Sequence, residues 1–118
     1  MRHTPHVQAL SAHVSVSAQL EPADMAWAAA NGFRSIINNR PDFEGGDDQP
    51  RSADVEAEAH AAGLGYVYLP VSPIMQTPQE ISQFASLLAE LPKPILAFCR
   101  SGTRSTNLYC ATLCPVGG

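Results

Sequence analysis

The sequence predicts an α/β fold with a mostly parallel central sheet flanked by helices. The first observation behind this prediction is that short strand-like segments alternate along the chain with segments of helical period. Such alternation is typical of parallel strands joined by right-handed crossovers. The second is that Ile95–Phe98 is apolar at every position. A strand without polar alternation is expected to be buried on both faces, so this strand should be central.

The composition is typical of one soluble globular domain. The chain has 118 residues, of which 45% are hydrophobic and 15% are charged, and this length suits a single domain. We expect residues 1–12 to form an N-terminal extension and residues 13–118 to form the domain. The formal net charge of −4 argues against nucleic acid as a partner, because phosphate backbones are bound by clustered lysines and arginines.

The sequence also gives expectations about compartment and bound groups. No apolar segment approaches the length that spans a membrane, and the N-terminus has no signal-peptide core. The three cysteines do not suggest a secreted disulfide framework. Cys110 and Cys114 are four residues apart and should pack on one helix face. We therefore expect a cytoplasmic protein that binds neither membranes, nor a metal, nor a cofactor.

Local signals place the individual elements. Strand-like segments predict strands over 13–17, 33–38, 66–71 and 95–98. Start and stop signals predict helices over 22–31, 52–62, 78–91 and 106–113. The clearest start is that of the third helix, where Thr77 and Glu80 form a capping box and Pro78 occupies the first helical position. We expect Ser52 to cap the second helix.

The segment that follows the central strand is the most informative one for function. It is small and polar, and it connects a buried strand to a helix. The N–H groups of such a loop, together with the positive end of the helix, can form an anion site. The residues expected to bind the anion are Arg100, Ser101, Gly102, Thr103, Arg104 and Ser105.

Three members of this loop have specific expected roles. Gly102 permits the backbone curl that the site needs. Arg104 offers a planar fork of donors that matches a tetrahedral oxyanion. Nearby positive charge and a helix N-terminus favour the ionised form of a thiol, so Cys99 is the candidate nucleophile.

A second polar loop follows the predicted strand 33–38. It reads NRPDFEGGDDQP and contains two prolines, a glycine pair and four carboxylates. Because ligands of parallel sheets bind beyond the carboxyl ends of the strands, we expect this loop to share a rim with the cysteine loop. Arg40, Asp42 and Glu44 are its residues that could reach a ligand.

The cysteine loop resembles two kinds of active-site loop, those of tyrosine and dual-specificity phosphatases and those of rhodanese-type sulfurtransferases. In such phosphatases the arginine stands six positions after the cysteine, whereas Arg104 stands five after Cys99, and rhodanese-type loops are the shorter ones. Upstream, the order HVSVSAQLEPADMAWAAANGFRSIINNRPDFEG and then AGLGYVYLPVSP is similar to the bacterial beta-lactamase-hydrolase-like proteins, phosphatase-like domain. Some members of that family are labelled sulfurtransferases. The resemblance covers about residues 13–113 and implies a tyrosine/dual-specificity phosphatase-like fold.

Three functions are compatible with these residues, all of them directed at a small anionic substrate. We favour sulfur transfer, in which Cys99 takes sulfur from thiosulfate or a persulfide, because a stable anion or a low-pKa thiol leaves without a proton donor. The first alternative is a phosphatase that forms a thiophosphate on Cys99. The second is a pseudo-enzyme that binds oxyanions or senses oxidation without turnover.

The candidate proton donor distinguishes these alternatives. The resemblance places the acid of a phosphatase on the loop VSPIMQTP, which has no Asp or Glu before Glu80. A positioned general acid contributes about 10² to 10⁴ in rate, and Asp42 is the substitute that we nominate. Sulfur transfer needs no acid. There Arg100 and Arg104 attract the donor, and Ser105 caps the following helix.

Two further expectations concern the loop and the assembly. Ser101 and Thr103 should hydrogen-bond within the loop. Phosphatase-like folds generally carry more helix after the loop helix, so we expect one face of the sheet to be thinly covered. A homodimer contact could cover that face.

Overall fold

The computed structural model describes residues 4–113 and contains one five-stranded sheet. Its strands are β1 (Val7–Ala9), β2 (Val14–Ser17), β3 (Ser35–Asn38), β4 (Gly65–Tyr68) and β5 (Ile95–Phe98). Their order is β1-β2-β5-β3-β4. The β1–β2 pairing is antiparallel, and the pairings β2–β5, β5–β3 and β3–β4 are parallel. The predicted class and the central position of β5 are therefore confirmed.

Two helices cover each face of the sheet. The helices are α1 (Asp24–Ala30), α2 (Ser52–Ala61), α3 (Pro78–Glu90) and α4 (Thr103–Leu113). Leu96 and Phe98 of β5 pack with buried residues of α1 and α2. Ile95 and Ala97 pack instead with Phe84 of α3 and with α4. Every side chain of β5 therefore enters a core, which explains why this strand lacks polar positions.

The helix starts follow two different patterns. At α3 the predicted capping box is present: Glu80 N donates to Thr77 Oγ1 at 3.1 Å, and Thr77 N donates to a Glu80 carboxylate oxygen at 2.9 Å. At α2 the Ser52 side chain makes no capping bond. Its backbone N–H donates instead to Asp42 Oδ1 at 2.8 Å, so the cap comes from the loop after β3.

The N-terminal segment differs from the prediction. Residues 7–9 fall within the expected extension, yet they form β1 and pair with β2. A three-residue strand is too short to show alternation in sequence, and the sheet therefore begins before residue 13.

Three other expectations are affected by the observed helices. The thinly covered face that prompted the homodimer expectation is not found within residues 4–113, because each face carries two helices there. Cys110 is exposed, while Cys114 lies outside the described residues. Over the same described range, no helix is long and apolar enough to cross a membrane.

Candidate active site

A cleft lies at the edge of the sheet where the parallel strands end. It has a volume of about 590 Å³, which is in the range of small-molecule sites. Three connections contribute to it: the loop after β3, the segment after β4, and the loop between β5 and α4. Its lining residues are Arg40, Glu44, Gly45, Pro73, Gln76, Cys99, Arg100, Ser101, Thr103, Arg104 and Asn107. The expected shared rim is therefore observed.

The cysteine loop is held against the segment that follows β2. Cys99 N donates to Ser17 O at 3.4 Å, and Gln19 N donates to Arg100 O at 3.2 Å. Gly102 has a φ of +95°, and this left-handed conformation turns its N–H toward Cys99 Sγ at 3.1 Å. A thiolate accepts such a bond more strongly than a neutral thiol. Cys99 is only 1% exposed and lines the cleft, so it lies at the base of this cavity.

Several backbone N–H groups of the cysteine loop have no hydrogen-bond acceptor among the described residues. Within residues 4–113, the backbone N–H groups of Arg100, Ser101 and Arg104 have no acceptor. The positive end of α4 begins beside them at Thr103. Ser101 Oγ donates to Thr103 Oγ1 at 3.2 Å and accepts from Thr103 N at 3.4 Å, as the sequence predicts. The loop thus combines free donors with the helix dipole, which is the usual composition of an anion site.

The guanidinium of Arg104 is fixed between two other loops. It is 7% exposed, and Nη1 donates to Val71 O at 3.0 Å and to Asn39 O at 3.4 Å. Nη2 donates to Glu44 Oε1 at 3.0 Å. The buried Nε has no partner among the described residues. A buried donor left without a partner is costly, and an oxyanion in the cleft would provide the missing acceptor.

Glu44 joins two arginines through one carboxylate oxygen. Its Oε1 lies 2.9 Å from Arg40 Nε and 3.0 Å from Arg104 Nη2. Partial burial acts to raise the pKa of Glu44, but the hydrogen bonds and charges of Arg104 and Arg40 outweigh it and lower the pKa below its ordinary value. Glu44 is therefore ionised at neutral pH, and it positions guanidinium groups instead of donating a proton.

Comparison with known proteins identifies the family. The model of the family "Beta-lactamase hydrolase-like protein, phosphatase-like domain" matches residues 6–114. The chain belongs to this family. A beta-lactamase hydrolase-like protein from Agrobacterium fabrum is 37% identical over 100 residues, which are 85% of this chain and 23% of the relative. The phosphatase-like domain thus spans about a quarter of that relative's length.

Solved structures share the fold of this phosphatase-like domain. A candidate phosphatase from Neisseria meningitidis is 34% identical with a TM-score of 0.80, and the match covers 86% of this chain and 72% of the other. A candidate phosphatase from Shewanella putrefaciens is 20% identical with a TM-score of 0.77, over 90% and 68% of the two chains; at that identity the likeness concerns the fold alone. The family resemblance seen in the sequence is confirmed, and family and fold place the chain among cysteine phosphatase-like proteins.

The structure brings most of the predicted site residues of this phosphatase-like domain together. Those that line the cleft are Arg40, Glu44, Cys99, Arg100, Ser101, Thr103 and Arg104. Gly102 contributes through its N–H bond to the sulfur. The remaining two, Asp42 and Ser105, have other partners.

Asp42 is used to start a helix. Its Oδ1 accepts from Ser52 N at 2.8 Å, and its N–H donates to Tyr68 Oη at 2.7 Å. It is not among the residues that line the cleft. The carboxylate of this loop that faces the cleft is Glu44.

Ser105 does not cap α4 but lies inside it, because the helix begins at Thr103, three residues before the predicted start at residue 106. It is fully buried, and its Oγ donates to Asn39 Oδ1 at 2.8 Å. Asn39 also donates from Nδ2 to Leu69 O at 3.0 Å and accepts from Arg104 through its carbonyl. The sequence analysis missed Asn39. The signal that could have found it is its position directly after a strand, at the carboxyl edge of the sheet.

Proposed function

We propose that the chain is a cysteine-dependent phosphatase, a hydrolase that forms a thiophosphate intermediate on Cys99. The observation that carries the proposal is the Nε of Arg104, which is buried and has no partner among the described residues, beside a loop in which the N–H groups of Arg100, Ser101 and Arg104 also have no acceptor. These donors match the oxygens of a phosphoryl group, which carry most of the charge during transfer.

The geometry supports a two-step reaction. In the first step Cys99 Sγ attacks phosphorus and the P–O bond to the leaving group breaks, while the loop N–H groups and Arg104 hold the phosphoryl oxygens. In the second step water attacks phosphorus, the S–P bond breaks with its electrons returning to sulfur, and inorganic phosphate is released. Glu44 positions Arg104 in both steps without contacting the reacting atoms.

The comparisons agree with this proposal better than with sulfur transfer. The Neisseria meningitidis relative, at 34% identity, is described as a candidate phosphatase. The matched family model is also named for a phosphatase-like domain. Because the chain spans 23% of the Agrobacterium fabrum protein, the proposal concerns this domain and not that whole protein.

Hydrolysis of p-nitrophenyl phosphate tests the proposal, because its leaving group needs little help from an acid. We expect turnover that is abolished in Cys99→Ser and unchanged in Cys110→Ser, whose thiol is exposed on α4 outside the cleft. Acid quenching during turnover should trap one phosphoryl group on Cys99 by mass spectrometry. Turnover that survives Cys99→Ser would refute the proposal.

Sulfur transfer is the second candidate, and one specific observation favours it. The only carboxylate lining the cleft among the described residues, Glu44, is held ionised, and transfer from thiosulfate needs no acid. In that reaction Sγ attacks the outer sulfur, the S–S bond breaks, and sulfite leaves with the bonding electrons. A gain of one sulfur on Cys99, passed on to a thiol acceptor and without phosphate release, would select this candidate. Sulfate binding without either reaction would select a non-catalytic oxyanion-binding or redox-sensing role.

A further inference from the structure

The titratable groups that line the cleft include no usable proton donor. Among the described residues they are three arginines, one cysteine and one glutamate. Arginine does not release its proton in proteins, and Cys99 is the nucleophile. The pKa of Glu44 is lowered by its two guanidinium partners, which outweigh the opposing effect of burial. A leaving oxygen in this cleft therefore receives no proton from the protein.

Several polar side chains line the cleft beside the reactive sulfur. Side chains available to a leaving group include Gln76, Thr103 and Asn107, and no aromatic residue is present among the described residues that line the cleft. These side chains can hydrogen-bond to a polar or charged leaving group.

Arg100 adds a cation at the mouth of the cleft. Its side chain is exposed and lines the cavity, and no carboxylate of the described residues lies within ion-pair distance of it. Arg40 and Arg104, in contrast, share Glu44. Arg100 is therefore available to contact a second anionic group bound beside the cysteine loop.

We propose, on the basis of the phosphatase function above, that the substrates of this site are phosphoanhydrides. The terminal phosphoryl group binds the cysteine loop, and the next phosphoryl group binds Arg100. Sγ attacks the terminal phosphorus, the bridging P–O bond breaks, and its electron pair leaves with the second phosphate. The departing phosphate is a stable anion without further protonation, so its departure does not require a proton donor. Hydrolysis of the thiophosphate then follows as described above.

A leaving-group series tests this proposal in the wild-type protein. We would compare kcat/KM for inorganic pyrophosphate, p-nitrophenyl phosphate, phenyl phosphate and glycerol phosphate. Without a general acid the rate should fall steeply with leaving-group basicity, so phenyl phosphate should be at least about a hundredfold slower than p-nitrophenyl phosphate. Glycerol phosphate should be slower still, and pyrophosphate should be cleaved faster than both.

The outcomes separate this inference from the proposed function. Turnover of p-nitrophenyl phosphate that depends on Cys99, combined with equal rates for phenyl and p-nitrophenyl phosphate, would refute the missing-acid argument and leave the phosphatase standing. Pyrophosphate cleaved no faster than glycerol phosphate would refute the anhydride assignment. Loss of all Cys99-dependent phosphate release would refute the proposed function itself, and this inference with it.

Substitution of Arg100 tests the second phosphoryl contact. Arg100→Gln should lower kcat/KM for pyrophosphate by about tenfold or more, since hydrogen bonds to charged groups contribute about 1.5–3 kcal/mol, and should lower it less for p-nitrophenyl phosphate. Arg34→Gln is the matched control, because Arg34 is exposed and directly precedes β3 at the opposite edge of the sheet. Equal losses for both substrates in Arg100→Gln would show that Arg100 does not contact the second phosphoryl group and would overturn this assignment.

Discussion

Arg104 and Glu44, 60 residues apart in the chain, meet through a 3.0 Å contact between Nη2 and Oε1. The same carboxylate oxygen accepts from Arg40 Nε at 2.9 Å. This contact links the loop after β3 to the helix that follows the cysteine loop. It also determines which donor of Arg104 is left for a ligand, because Nη1 and Nη2 have protein partners and Nε has none among the described residues.

We predict that Glu44→Gln weakens oxyanion binding while preserving the fold. Glutamine keeps an acceptor but removes the charge that holds both guanidinium groups, so Arg104 loses its fixed orientation. The affinity for phosphate, measured by isothermal titration, should fall by about tenfold. Glu58→Gln, an exposed change on α2, is the control and should bind phosphate normally. Full affinity in Glu44→Gln would contradict the positioning role.

The same carboxylate predicts a pH dependence of stability. The pKa of Glu44 in the folded chain is lowered from 4.5 because the arginine contacts outweigh burial, so the unfolded chain binds the proton more readily. The stability that this group contributes is complete above pH 4.5 and is lost as the pH falls through the lower folded pKa. In urea unfolding at a series of pH values, the free energy of unfolding should therefore fall more steeply with decreasing pH in the wild type than in Glu44→Gln. Parallel pH profiles would be inconsistent with this coupling.

Arg104→Lys should retain the fold and lose most oxyanion affinity. Lysine supplies a single point charge, which cannot serve Val71 O, Glu44 and a ligand at once as the guanidinium does. We expect the affinity for phosphate, measured by titration, to fall at least about tenfold, since hydrogen bonds to charged groups contribute about 1.5–3 kcal/mol. Arg34→Lys provides the matched control away from the cleft. Unchanged phosphate affinity in Arg104→Lys would show that the guanidinium does not contribute to anion binding.

Features of the fold that depend on local signals could be predicted from the sequence. The capping box at Thr77 and Glu80 needs only four consecutive residues, and the apolar run at β5 identifies a central strand. The shared rim of the two polar loops followed from a general rule for parallel sheets. The edge strand β1 could not be predicted, because three residues carry no periodic signal.

Contacts between segments that are distant in the chain could not be predicted from the sequence. The bond between Ser105 and Asn39 joins positions 66 residues apart, and nothing local distinguishes a buried serine inside a helix from one that caps it. The use of Asp42 to cap α2 likewise depends on how the loop after β3 folds back toward Ser52. The sequence analysis nominated Asp42 as the acid of this loop, whereas Glu44 is the carboxylate that lines the cleft.

Two glycines with the same backbone conformation allow the function of the cysteine loop to be separated from its stability. Gly102 has a φ of +95° and Gly32, after α1, has a φ of +91°. An added Cβ at Gly102 would lie 3.4 Å from the nearest atom, Ser17 C, which is ordinary contact, and at Gly32 it would meet nothing within 4 Å. The penalty for alanine at either position therefore comes from the left-handed backbone and should be about 1–2 kcal/mol.

We predict that Gly102→Ala and Gly32→Ala lose similar stability in urea unfolding but differ in activity. Relaxation of the strained φ at Gly102 would turn its N–H away from Cys99 Sγ, now 3.1 Å distant, and would disturb the neighbouring free N–H groups. Turnover of p-nitrophenyl phosphate should therefore fall by at least about tenfold in Gly102→Ala and remain unchanged in Gly32→Ala. If both variants retain full turnover, the curl at Gly102 is a structural turn only, and the anion site must be built from other donors.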